Sequence, residues 1–270
     1  MAVETKPALD VEAADRAIAG IRRPELLVER LGDPVRYAQR VEAEVAGLSI
    51  ETLLPYAADD HVGRFLAVWV PDELGHGAAL QRLLASLGLP SFAPRPAETV
   101  PWHNRIAGWL GHRSRGVYEM VSMTYHTIGA INERLALGAY ARMASIATDV
   151  GEVELADALF QPLRRDESAH LGYYRTYARQ LRLRLSRYQL DAVRALITMT
   201  YAPVGAGMRR DKPPFGRALL ALEDDPENPA VALASQDIAC ELLARPSGSV
   251  RPFVLNAMRE CVGLAQRDRR

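Results

Sequence analysis

The stretch Val70–Gly77 reads VPDELGHG, and Arg164–Tyr174 reads RRDESAHLGYY. Each contains Asp-Glu-x-x-His, once as Asp72, Glu73 and His76, and again as Asp166, Glu167 and His170. Residues three apart share a helix face, with Cβ atoms about 5–6 Å apart. A Glu and a His so placed reach one metal ion together. The pairing of a hard oxygen with an imidazole nitrogen suits iron, with manganese as the alternative ion. Two such helices supply only two carboxylates, and a dinuclear centre in a bundle needs one further Glu from each of two other helices.

Glu133 fits one vacancy. It lies in AINERLALGAY, a largely apolar context, 34 residues before Glu167. Thr148-Asp149-Val150-Gly151 reads as a turn close to midway. Chain folding back there returns to the same depth, since both arms advance about 1.5 Å per residue. For the other vacancy the sequence offers Glu51 and Glu42. Glu51 is surrounded by Leu48, Ile50, Leu53 and Leu54 and is preferred. Glu42 sits among Arg36, Gln39 and Arg40, which read as solvated surface, but it gives the more regular spacing of 31 residues to Glu73, against 22 from Glu51. Four buried carboxylates repel one another unless cations lie between them.

The surrounding chain reads as helix throughout, rich in Ala, Leu, Arg and Glu and poor in β-branched alternation. Helices are expected at about 10–30, 34–58 (opened by Pro34), 60–88 (kinked at Pro71) and 115–147. Further helices are expected from the turn to about 183, at 187–203 and 215–222, and as a pair over 228–268 divided by RPSGSVRP. The Pro-rich LPSFAPRPAETVP at 89–101 reads as a long crossover, and EDDPENP as a polar loop. The expected architecture is an all-α four-helix bundle over about 34–183, with an N-terminal helix and a C-terminal helical extension over about 187–270, in one domain spanning 1–270.

Bulk composition narrows the function classes. The chain has 270 residues with 33 basic and 33 acidic side chains, a balance that gives no footprint for nucleic acid. Its two cysteines, Cys240 and Cys261, form no disulfide framework or metal-type pair. There is no signal-peptide core and no continuous apolar run of spanning length. A soluble cytoplasmic protein without a membrane partner is the expectation.

Around the proposed ligands, Asp72 and Asp166 are candidates to orient histidines from neighbouring helices. His126, nearly two turns before Glu133 on the same face, is a candidate ligand, hydrogen-bond donor or substrate contact, or else a core histidine. Trp69, one turn before Glu73, packs beside the site or fills core, and Tyr140 shares the face of Glu133.

These motifs resemble those of the ferritin-like di-iron carboxylate proteins, nearest to the soluble acyl-carrier-protein desaturases. AVWVPDELGHG (67–77) resembles that family's RAWTAEENRHG segment, ETLLPY (51–56) its E-x-x-L-P-x-Y, NERLALGAY (132–140) its QERATFISH and RRDESAH (164–170) its ADEKRH ending. The similarity covers roughly 35–185. It implies two iron ions cycling between Fe2+ and Fe3+ and held by Glu51, Glu73, His76, Glu133, Glu167 and His170. It also implies O2 as co-substrate, a ferredoxin-type electron donor, a homodimer, and attack on an unactivated C–H bond of a small-molecule or acyl-carrier-protein-bound substrate. Two departures bear on the reaction. The family's Thr three residues after the third-helix Glu is Ala136 here, and the hairpin implied by Glu51 is short. Both open hydroxylation or N-oxygenation as rivals to desaturation. A ferroxidase and a helical binding protein without redox work are further alternatives. A radical-generating reductase subunit fits poorly, because Leu80 stands where that family keeps a Tyr.

Overall fold

A computed structural model of the chain describes residues 8–53, 60–92, 114–225, 229–244 and 250–268, with backbone alone for 45–53 and 60. All its regular elements are helical: α1 (Val11–Ala19), α2 (Pro24–Leu53), α3 (Asp60–Ser86), α4 (Arg115–Asp149), α5 (Gln161–Arg184), α6 (Arg187–Thr200), α7 (Lys212–Leu222), α8 (Ala230–Leu243) and α9 (Phe253–Asp268). The turn Val153–Leu155 and a π-helical turn, Ala156–Phe160, lead into α5. The fold is a ferritin-like four-helix bundle, α2 packing on α3 and α4 on α5, with flanking helices against it. α7 lies against α2, α8 against α4, and α9 against both α7 and α8. No described helix is long and apolar enough to cross a membrane.

Helix boundaries follow local chemistry. Asp10 caps α1, its carboxylate accepting from Ala13 N at 3.1 Å. Ser186 and Gln189 form a reciprocal capping box at the start of α6. α2 begins ten residues earlier than expected, at Pro24, so Pro34 lies inside it. The amides of Arg22 and Arg23 donate to Glu152 Oε1 at 2.9 and 2.7 Å. That carboxylate captures donors at the start of α2 that no helical carbonyl reaches, and ties them to the α4–α5 turn. At that turn Gly151 adopts φ +90°, which a side chain resists. The Pro-rich crossover lies largely outside the described residues, as does much of RPSGSVRP.

Two apolar clusters fill the bundle, one at each end. One includes Phe65, Trp69, Met123, Ile131, Tyr174 and Leu181. The other includes Leu31, Leu80, Leu84, Met143, Ile146 and Phe160. Along α3 and α5 the Asp-Glu-x-x-His units fall between the stretches feeding these clusters. A polar layer thus crosses an otherwise apolar interior.

Candidate metal centre

Each helix of the bundle sends one carboxylate into that layer. Glu42 comes from α2, Glu73 from α3, Glu133 from α4 and Glu167 from α5, and all four are buried. With His76 and His170 they form two overlapping groups: Glu42, Glu73, His76 and Glu167, and Glu73, Glu133, Glu167 and His170. Within each group, one ligand atom per residue lies within 4.8 Å of the others. Glu73 and Glu167 belong to both groups, the arrangement two bridging carboxylates need.

Among the described residues Glu42 is the α2 carboxylate that joins one of these groups, where the sequence reading preferred Glu51. Glu51 lies nine residues farther along α2, about 13.5 Å at helical rise, and its side chain falls outside the described residues. Arg40 and Gln39 had suggested a solvated face, yet they are only 4% and 2% exposed. The C-terminal extension covers Arg40, and Gln39 pairs with the backbone of Phe92, its Oε1 accepting from Phe92 N at 3.0 Å. Arg40 Nη1 lies 3.2 Å from Asp211 Oδ1, and Arg40 Nη2 donates to the Gly205 carbonyl at 2.7 Å.

Both histidines turn Nδ1 inward. His76 Nδ1 lies 3.2 Å from Glu167 Oε1 and 3.9 Å from Glu42 Oε2. His170 Nδ1 lies 3.3 Å from both Glu73 Oε1 and Glu167 Oε2. Their outward nitrogens meet carboxylates across the bundle. His76 Nε2 faces Asp166 Oδ2 at 3.2 Å, and His170 Nε2 faces Asp72 Oδ2 at 3.2 Å. The aspartate on α3 therefore steadies the histidine on α5, and the reverse. A bond at Nε2 leaves Nδ1 as the ligating nitrogen and raises its basicity. Asp166 also accepts from Ala8 N at 2.8 Å, which fixes its own orientation.

The electrostatics are those of a site made for cations. Burial raises the Glu73 carboxyl well above its usual range, and Glu42 and Glu167 raise it further. Burial does the same to Glu133, aided by Glu167. At Glu167 burial pulls the same way but is outweighed, and hydrogen bonds from Glu133, His170 and His76 hold it well below. Burial would lower His76, yet Asp166 and Glu167 push it up to about 10. His170 is likewise lowered by burial but lifted by Asp72 and Glu167 to about 11. Protons thus stand in for missing positive charge. Glu73 Oε1, His76 Nδ1 and Glu167 Oε1 are buried and face an oppositely charged neighbour without a well-aligned hydrogen bond, a desolvation cost that metal coordination would remove. The donor set of four carboxylates and two imidazoles fits two hard to intermediate divalent ions, Fe2+ or Mn2+.

The remaining residues singled out from the sequence surround this layer. The Tyr140 hydroxyl donates to Glu42 Oε1 and steadies that carboxylate. Trp69 is buried with its ring 6.5 Å from that of His170. His126 belongs to neither group. Its Nδ1 donates to the Ser122 carbonyl at 2.7 Å, and its ring packs 4.4 Å from Tyr177. The side of the centre around His170 is walled by aromatic rings, Phe65 standing edge-on to His170 and stacking 3.7 Å from Tyr173. Sequence reasoning did not single out Phe65, although its place two turns before Glu73 was legible. Comparison with protein-family models, with curated proteins and with solved structures gave no match. The site's geometry is therefore the basis for any functional reading.

Proposed function

We propose that the protein is a di-iron oxidoreductase that uses O2 to oxidise an unactivated C–H bond. The observation that carries this reading is the double group itself, two Glu/His sets sharing Glu73 and Glu167 in a buried layer. When bound, a reduced iron pair supplies electrons to O2 and an oxidant able to attack such a bond. The chain's own residues do the rest. Glu42 and His76 would hold one ion and Glu133 and His170 the other, with Glu73 and Glu167 available to both. Asp72 and Asp166 keep both imidazoles in the tautomer that presents Nδ1. Tyr140 orients Glu42. Phe65 and Trp69 exclude water near His170 and keep the centre in a medium of low polarity.

The resemblance to acyl-carrier-protein desaturases makes desaturation the first reaction to test and a ferredoxin-type protein the first electron donor. Hydroxylation or N-oxygenation is the second reading, favoured by Ala136, which replaces the family's Thr with a side chain that cannot donate a hydrogen bond. The protein should be loaded with Fe2+ without air, assayed for iron, then given O2, reductant and a panel of acyl-carrier and amine substrates. We expect about two irons per chain, O2 consumption, and a product lighter by two hydrogens or heavier by one oxygen. Reduced iron-loaded protein that consumes no O2 would refute the proposal.

A further inference from the structure

Beside the Glu42 edge of the centre lies a partly open cavity between α2, α4 and α7. Ala38 on α2 and Ala136 and Ala139 on α4 create the space by being small, and Phe215 and Leu219 of α7 cover it. Glu42 and Tyr140 belong to its wall, so the cavity touches one of the proposed ligands. The side around His170 is filled instead by aromatic rings.

Almost all the surface lining this cavity is apolar. The polar side chains on its wall have protein partners. The Tyr140 hydroxyl donates to Glu42 and the Tyr37 hydroxyl to the Val204 carbonyl. Arg142 donates to the Leu222 carbonyl at 2.8 Å and to Asp224 Oδ1 at 2.6 Å. Asn132 Oδ1 accepts from Tyr201 at 3.4 Å, and Glu223 Oε2 from Ala230 N at 3.2 Å. A charged ligand group placed inside would lose its hydration with little to replace it. An uncharged hydrocarbon surface loses nothing there and gains contact.

We propose that this cavity binds an uncharged, compact hydrocarbon segment of the substrate beside Glu42 and Tyr140, and that α7 sets its size through Phe215 and Leu219. The inference rests on the di-metal reading for its place in catalysis, but the binding itself is separately measurable. On this reading the C-terminal extension closes a selective chamber on the bundle and holds charged groups outside.

The test uses the full chain loaded with redox-silent Mn2+, with ion stoichiometry measured on each sample. Calorimetry with 1-octanol, n-octylammonium and octanoate should show 1-octanol binding with a negative heat-capacity change. Both charged probes should bind at least about tenfold more weakly. Ala139→Phe should weaken 1-octanol binding at least about tenfold with both ions retained, because the new ring fills the chamber. If that variant fails to fold, Phe215→Ala serves instead, enlarging the chamber and shifting preference from 1-octanol towards 1-dodecanol. Octanoate binding as tightly as 1-octanol, or probe preference untouched by Ala139→Phe and by Phe215→Ala, would overturn the proposal. Two ions bound with no 1-octanol bound overturns the cavity assignment alone. Binding of 1-octanol that obeys both variants in a protein without ions supports the chamber and sinks the di-metal reading.

Discussion

Sharing of Glu73 and Glu167 between two ion positions predicts a graded pattern of loss. Replacing Glu42 by Gln removes a carboxylate from one group only, whereas replacing Glu167 by Gln removes one from both. At free metal one hundred times the dissociation constant, each bound ion stabilises the fold by about 2.7 kcal/mol. Unfolding entropy near 2.1 cal/mol/K per residue gives roughly 570 cal/mol/K for 270 residues. One ion should therefore raise the melting temperature by about 5 °C and two by about 10 °C. Scanning calorimetry with Mn2+, paired with metal analysis, should show the full rise for the parent protein. Glu42→Gln should show about half the rise with one ion retained, and Glu167→Gln almost none. Without metal, Glu167→Gln should also melt lower than the parent. His76 and His170 both lean on that carboxylate, and losing it leaves their buried positive charge poorly compensated. A Glu167→Gln protein that keeps one ion tightly, or a Glu51→Gln protein that loses one as Glu42→Gln does, would refute the bridging scheme.

Metal uptake should release protons, because His76 and His170 titrate near 10 and 11 without metal and must shed them to ligate. Calorimetry in buffers of different ionisation enthalpy would count them, and apparent affinity should rise with pH across the neutral range. The metal-free fold should behave oppositely. Both imidazoles are raised above their ordinary 6.5, so the stability they contribute is full below about pH 6.5 and is lost as pH climbs through 10–11, which denaturation at graded pH would reveal. Asp72→Asn and Asp166→Asn should each weaken metal affinity about 10- to 100-fold while the ligands stay in place, measurable by competition with a chelator. Gly138→Ala should cost about 1–3 kcal/mol in denaturant unfolding, because its new Cβ would lie 2.2 Å from Val231 Cγ1. Adding Val231→Ala should recover much of that.

The hairpin of α4 and α5 was legible because its signals were local. Two ligand residues sat three apart on one helix, Glu133 stood in an apolar run, and a glycine turn lay midway. The matching reading of α2 passed over Glu42 for a long-range reason. Polar neighbours at Arg36, Gln39 and Arg40 ordinarily mark a wet face, and apolar neighbours at Glu51 a dry one. Here that face is dried at Arg40 by Asp211 and Gly205, more than 160 residues away, and at Arg36 and Gln39 by Phe92. No window along α2 contains those partners. The 31-residue spacing from Glu42 to Glu73 was the better guide, because it reports depth in the bundle and is indifferent to what covers the outside. Pro34 misled similarly: it suggested a helix start, while the carboxylate that receives the real start belongs to Glu152, across the molecule. The crossed pairing of aspartates with histidines was foreseeable as a role, but its geometry required the two helices side by side.

That crossed pairing has a consequence for assembly. Each hairpin carries an imidazole whose aim is decided by the opposite hairpin, so neither half holds a finished nest for an ion by itself. A half-built bundle, met early in synthesis or after local opening, would offer loose carboxylates but no correctly aimed nitrogen. On the di-metal reading, stray metal ions would find no finished site in an immature chain, and the centre would form only once both hairpins had closed on each other.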